Sequence, residues 1–335
     1  MPAQNRVHPT ARTAPLRVFV DNMTALNLAP CPKAPWAGGR VLRHIAYEDC
    51  SPAQWLNLYL PDTPSPAPLL ILVHGGGFVT NDAESRQARL MYRFFRDRGY
   101  ACATVNYRLA GEARFPAAIE DVKAAVRFLG QQGQTYGYDT GRTAIWGESA
   151  GAYLAAMAAL TDDDTFAGTP CLGETPGRRF PMLRFAALAD FYGPCNLLSQ
   201  EAQFQAMGIP RWVRRLANRW LDRYSEGFAT AEECWMGKPL AAWTQGELQA
   251  FLPCRQAEAG RSPNPGMRSW ILHGLSDITV PADQSREFAQ VLGRAFGPDR
   301  VELVLVPHCK HADDRLFRPQ LLAQLDHFLR ESLDE

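Results

Sequence analysis

Ser149 stands in the string Gly147-Glu148-Ser149-Ala150-Gly151, a spacing that can present a serine hydroxyl as a nucleophile. Such a serine sits on a sharp turn with a strained backbone, and the flanking glycines let the two elements it joins approach closely. A weakly acidic hydroxyl also needs a base and a group to orient that base. Two aspartates, Asp277 and Asp283, follow the apolar residues 269–272, and two histidines, His308 and His311, follow the apolar residues 301–306. His74-Gly75-Gly76-Gly77-Phe78 adds three consecutive glycines whose backbone can turn its amides inward, toward a developing oxyanion. Together these residues could carry acyl transfer.

The elements around them fit that use. Residues 143–146 are β-prone and residues 150–160 are alanine-rich and helix-prone, so Ser149 falls at a strand-to-helix junction. The helix starting after Ser149 aims free N–H groups and its positive dipole end at the place where an oxyanion would form, and Ala150 is the first donor there. Residues 69–73, Leu-Leu-Ile-Leu-Val, read as a strand buried on both faces that delivers the glycine run. Further strands are expected at 41–47, 55–59, 101–106, 184–190, 269–272 and 301–306. Helices are expected at 83–98, around Ile119, Val122, Val126 and Leu129, and at 319–333, where Leu322, Leu325 and Leu329 share a face. Strands alternating with helices through long crossovers predict an α/β fold with a mostly parallel central sheet.

In this context the motifs can be placed. The His-Gly-Gly-Gly-Phe loop, Tyr107-Arg108-Leu109-Ala110 leading to Phe115-Pro116-Ala117-Ala118-Ile119-Glu120-Asp121, and Gly-Glu-Ser-Ala-Gly resemble the α/β-hydrolase superfamily. More narrowly they are similar to its hormone-sensitive-lipase-like esterases and the related bacterial feruloyl-esterase-like (BD-FAE-like) group. The resemblance covers about residues 41–333 and is thinnest between 196 and 266. It implies an α/β-hydrolase fold with helices flanking the sheet. It also implies Asp277 as the triad acid, since similar enzymes carry Gly-x-x-Asp-x-x-Val-Pro there, and His311 as the base, followed by a small residue, an acid and an aromatic. His308 is then a loop residue, and Asp283 a candidate cap for the next helix. The oxyanion hole is assigned to the N–H groups of Gly76, Gly77 and Ala150, with His74 holding the loop. Asn106 stands where these enzymes often carry aspartate, and Gly111 where they often carry proline.

Outside the motifs, residues 1–40 are proline-rich and aperiodic, an N-terminal arm before a hydrolase domain at 41–335. The sheet pattern lapses between about 196 and 267, where Trp212, Trp220, Trp235 and Trp243 occur among predicted helices. An insertion there would form a helical cap over the nucleophile, its tryptophans packing it down or, for one or two, lining an acyl pocket.

The 335 residues carry 35 basic and 35 acidic side chains, a net charge of zero, and no long like-charged block. That balance gives no reason to expect nucleic acid or an anionic membrane surface as a partner. No stretch reaches membrane-spanning length, and the first 21 residues lack an apolar signal-peptide core. The eight cysteines are scattered, without zinc-ligand spacing, and read as reduced thiols of a cytoplasmic protein. The expected activity is hydrolysis of carboxylic esters of small or medium substrates, with no metal or organic cofactor and with possible homo-oligomerisation. An amide or formamide hydrolase is the alternative within the same chemistry, and a non-catalytic ligand-binding protein is the alternative from another class.

Overall fold

The apolar run at residues 69–73 forms the body of β3 (Ala67–Val73), and its side chains alternate between two cores. Leu69, Ile71 and Val73 enter one hydrophobic cluster, while Leu70 and Leu72 enter the other on the opposite face. A strand needs this pattern when helices cover both sides of its sheet. The structure is a computed structural model that describes residues 22, 38–63, 66–174, 179–217, 224, 227–228 and 230–335.

Eight strands form one sheet in the order β1-β2-β4-β3-β5-β6-β7-β8. They are β1 (Arg40–Ala46), β2 (Trp55–Leu60), β3, β4 (Ala101–Val105), β5 (Tyr138–Glu148), β6 (Ala187–Phe191), β7 (Arg268–Gly274) and β8 (Val301–Val306). Pairings β1–β2 and β2–β4 are antiparallel, and every pairing from β4 through β8 is parallel. The helices Ala117–Tyr136 and Ala150–Leu160 bury their apolar residues in one core, and Arg86–Arg96 and Pro319–Asp334 bury theirs in the other. Burial of all eleven residues of Ala150–Leu160 explains its lack of a polar face.

Strand β5 begins five residues earlier than residues 143–146 suggest. Tyr138 and Asp139 pair with Ala67 and Pro68, then the register shifts before Thr143 meets Leu69. The Asp139 carboxylate bridges this irregular stretch, accepting from the Gly141 N–H and from Arg142. Asn106 gains a physical explanation: its amide donates to the Ala53 carbonyl at 2.7 Å and accepts from the Ala83 N–H. An aspartate could do only the second.

Short helices fill the span between β6 and β7: Gln200–Ala206, Arg211–Ala217, Ala231–Met236, Gln245–Ala250 and Pro253–Glu258. Trp235 is fully buried and stacks on Phe78 with ring centres 4.1 Å apart, so it clamps this span to the glycine loop. Trp243 packs edge-on against Phe115 and Phe251, Trp212 is 64% exposed, and Trp220 lies outside the described residues. The proline-rich arm expected at 1–40 also lies outside them for the most part. Its described residue Asn22 donates from Nδ2 to the Ser276 carbonyl, next to Asp277. Among the described residues no helix is long and apolar enough to cross a membrane.

Candidate active site

Ser149 occupies the turn between β5 and the helix Ala150–Leu160 with φ 52° and ψ −124°, a conformation costly for a non-glycine residue. Its N–H donates to the Phe191 carbonyl at 2.8 Å, which ties the turn to β6. Gly147 and Gly151 make the turn possible. A Cβ on Gly147 would lie 2.2 Å from the Gly151 carbonyl oxygen, and one on Gly151 would lie 2.2 Å from that of Val73. The close approach of strand and helix therefore excludes any side chain at either position.

The loop after β8 carries His311 to this turn. His311 Nε2 lies 2.9 Å from Ser149 Oγ, and Nδ1 lies 2.6 Å from Asp277 Oδ2. With the proton on Nδ1 donated to Asp277, Nε2 is free to accept from the serine hydroxyl. Asp277 is fully buried in the loop after β7, and its Oδ1 accepts from the Thr279 and Val280 N–H groups at 2.8 and 2.9 Å. Burial pushes the Asp277 carboxyl up, but the facing imidazoles of His311 and His273 outweigh it and hold it well below the usual carboxylate range. For His311, burial pushes down, and Asp277 together with Glu148 and Glu232 brings the net value above that of an ordinary imidazole.

The structure thus brings Ser149, Asp277 and His311 together. It keeps their rivals apart from the serine: His308 is exposed at φ 61° with its carbonyl accepting from Arg315, and Asp283 pairs with Arg286 in the first turn of the helix Asp283–Phe296.

The glycine loop lies on the other side of Ser149. Gly76 (φ 122°) and Gly77 (φ 61°) adopt left-handed backbone, and a Cβ on Gly76 would lie 2.1 Å from the Thr80 carbonyl oxygen. Both line one cavity with Ser149 and Ala150, whose N–H has no intrahelical acceptor because Ala150 opens its helix. His74, buried and stacked on Tyr107, lies with Nδ1 2.8 Å from the Gly75 carbonyl.

Three neighbours were missed by the sequence reading. Glu148, at the variable position of the serine motif, is buried and accepts from the Gly75 N–H at 3.1 Å and from the Tyr192 hydroxyl at 2.8 Å. Tyr192 in turn packs edge-on against His311, ring centres 4.9 Å apart. His273 is fully buried with Nε2 3.2 Å from Asp277 Oδ2. Its place near the end of β7, four positions ahead of Asp277, was the available signal.

The cavity over Ser149 has a volume of about 90 Å³. Glu148, Gln87, Asn81, Glu232, Thr279 and His311 supply polar lining, and among the described residues no tryptophan lines it. Among the described residues no group of three or more His, Cys, Asp or Glu side chains is arranged to hold a metal ion.

A mostly parallel eight-stranded sheet with a serine on the turn between β5 and its following helix defines the α/β-hydrolase fold. The BD-FAE family model matches residues 56–292, and the chain belongs to that family. Esterase LipQ of Mycobacterium tuberculosis is 30% identical over 250 residues, covering 74% of this chain and 51% of LipQ. Esterase LipC of the same organism is 28% identical over 276 residues, covering 82% of this chain and 60% of LipC. The chain therefore spans only 51% to 60% of the length of these two relatives. Among solved structures, a truncated carbohydrate esterase from gut microbiota superposes with a TM-score of 0.73 at 21% identity, over 91% of this chain and 99% of that one. The thermophilic esterase Est2 of Thermogutta terrifontis gives 0.62 at 21% identity, over 93% and 96%. These two likenesses speak to the fold.

Proposed function

We propose that the chain is a serine hydrolase that cleaves carboxylic esters of small substrates through an acyl-enzyme. The observation that carries this reading is the continuous path from Ser149 Oγ through His311 to Asp277, at 2.9 and 2.6 Å. The Ser149 hydroxyl gives its proton to His311 Nε2 as its oxygen attacks the ester carbonyl. Asp277 keeps the imidazole in the receptive tautomer and stabilises the imidazolium. The N–H groups of Gly76, Gly77 and Ala150 receive the oxyanion, each such donor being worth about 3 to 4 kcal/mol in comparable sites. Collapse of the adduct breaks the bond to the alcohol, which leaves with the proton from His311. Water then gives a proton to His311, attacks the acyl-serine and releases the acid.

The names of the relatives support an ester over an amide as substrate. The 90 Å³ cavity, well below the roughly 300 Å³ at which drug-sized pockets begin, favours short acyl groups. The helices between β6 and β7 serve as the cap, since Ala231 and Glu232 reach the cavity lining. A cytoplasmic setting is supported by the free thiols of Cys102, Cys171, Cys195, Cys234, Cys254 and Cys309, all buried.

Hydrolysis of p-nitrophenyl esters from acetate upward tests the reading. Turnover should be highest for the shortest acyl chains and fall as they lengthen; failure to turn over any of them would overturn it.

A further inference from the structure

Among the described residues, the cavity over Ser149 is lined by two carboxylates, Glu148 and Glu232, beside the His311 imidazole, and by no lysine or arginine. Glu148 is committed to the protein, since it accepts from the Gly75 N–H and the Tyr192 hydroxyl. Glu232 is different. It sits in the helix Ala231–Met236, half-buried, and among the described residues it has no hydrogen-bond or ion-pair partner. Its neighbour Glu233 shows the contrasting, structural use of an acid: its carboxylate accepts from the Leu240 N–H at 3.0 Å, and its own N–H donates to Thr230.

A carboxylate lining a small cavity is felt strongly by whatever enters, because low-dielectric walls focus its field. Glu232 already acts on His311 through space, being one of the acids that raise its proton affinity. Among the described residues no cation lines the cavity to neutralise it, so a substrate meets a negative charge that these residues leave uncompensated beside the reacting serine.

We infer that Glu232 makes this site charge-selective, favouring esters that carry a positively charged group such as an amine or quaternary ammonium and rejecting esters that carry a carboxylate. The inference rests on the ester-hydrolase reading of the same cavity. Glu232 is a specificity residue here and takes no part in bond making.

The test compares wild type, Glu232→Gln and Glu232→Lys on three acetate esters of similar size. These are acetylcholine, its uncharged tert-butyl isostere, and an acetoxyalkanoate, with acid release followed by titration at low ionic strength. Wild type should prefer the cationic to the anionic ester. In Glu232→Gln the ratio of their kcat/KM values should fall by roughly tenfold or more, from unit charges about 8 Å apart in a partly solvated cleft. Glu232→Lys should reverse the preference, and added salt should shrink the wild-type ratio, which a purely structural role would not do. If the ratio is unchanged in both variants, or all three esters lose activity equally, the inference is wrong while the ester reading stands. If wild type fails to hydrolyse even the uncharged isostere, the ester reading falls and takes this inference with it.

Discussion

His273 contacts Asp277 directly: its Nε2 lies 3.2 Å from Oδ2, the same oxygen that His311 Nδ1 approaches at 2.6 Å. The ring is held at both ends, with Nδ1 2.7 Å from Ser285 Oγ and Nε2 3.0 Å from the Val280 carbonyl. A carbonyl can only accept, so Nε2 carries the proton and Nδ1 accepts from the serine. One buried imidazole thereby braces the loop that holds the acid.

Replacing His273 with phenylalanine removes that brace and leaves Ser285 and the Val280 carbonyl without it. Unfolding free energy should drop by about 1 to 3 kcal/mol. If His273 positions Asp277, kcat should fall about tenfold or more with KM little changed, because a loosened triad affects the transition state more than substrate binding. Steady-state kinetics beside urea denaturation would check both; a stability loss with intact kcat would reduce His273 to a packing residue.

Glu148 links the serine motif to the glycine loop through Gly75 and to His311 through Tyr192. Glu148→Ala leaves two buried donors unsatisfied and should cost about 2 to 5 kcal/mol. Glu148→Gln retains an acceptor oxygen and should cost less. Urea midpoints for the two variants should fall in that order, with the alanine variant also losing kcat as its oxyanion loop loosens.

Catalysis as proposed requires neutral His311, because a protonated Nε2 cannot accept the serine proton. Although burial lowers its proton affinity, Asp277, Glu148 and Glu232 more than offset this. The acid limb of kcat/KM should therefore have its midpoint above the ordinary imidazole value, with activity rising as pH rises through it. Glu232→Gln should move that midpoint down. A pH–rate profile for both proteins decides the matter, and a midpoint at or below the ordinary value in wild type would contradict the assignment.

His74 gives a stability prediction of opposite origin. Burial pushes it down to about 4, so it is neutral in the folded protein while the unfolded chain takes up a proton below the ordinary imidazole value. Its contribution is fully present at neutral pH and is lost as pH falls toward about 4, by up to about 1.4 kcal/mol per pH unit. Comparing unfolding free energy against pH for wild type and His74→Asn should show a shallower acid slope in the variant.

Much of the fold could be read from local pattern. The run Leu69–Val73 read as a strand buried on both faces and is one, and the alanine-rich residues after Ser149 form the helix Ala150–Leu160. The first residues of β5 were missed because Asp139 and Gly141 look like a turn, and only pairing with Ala67 and Pro68 makes Tyr138 and Asp139 part of the sheet. The site was legible where chemistry demands a particular spacing, as around Ser149. It was not legible for Glu148 and His273, whose partners are contributed by Gly75, Tyr192, Ser285 and Val280. A buried acid and a histidine within a strand look like packing until the tertiary contacts are known. The tryptophans follow the same rule, since Trp235 and Trp212 both sit in short helices, one fully buried and the other 64% exposed.

The most direct test of the central claim is hydrolysis of p-nitrophenyl acetate by wild type, Ser149→Ala and His311→Ala, each verified as folded. The account predicts rapid turnover by wild type and a loss of about three to six orders of magnitude in kcat for each variant. A Ser149→Ala protein that retained activity within tenfold of wild type would contradict it.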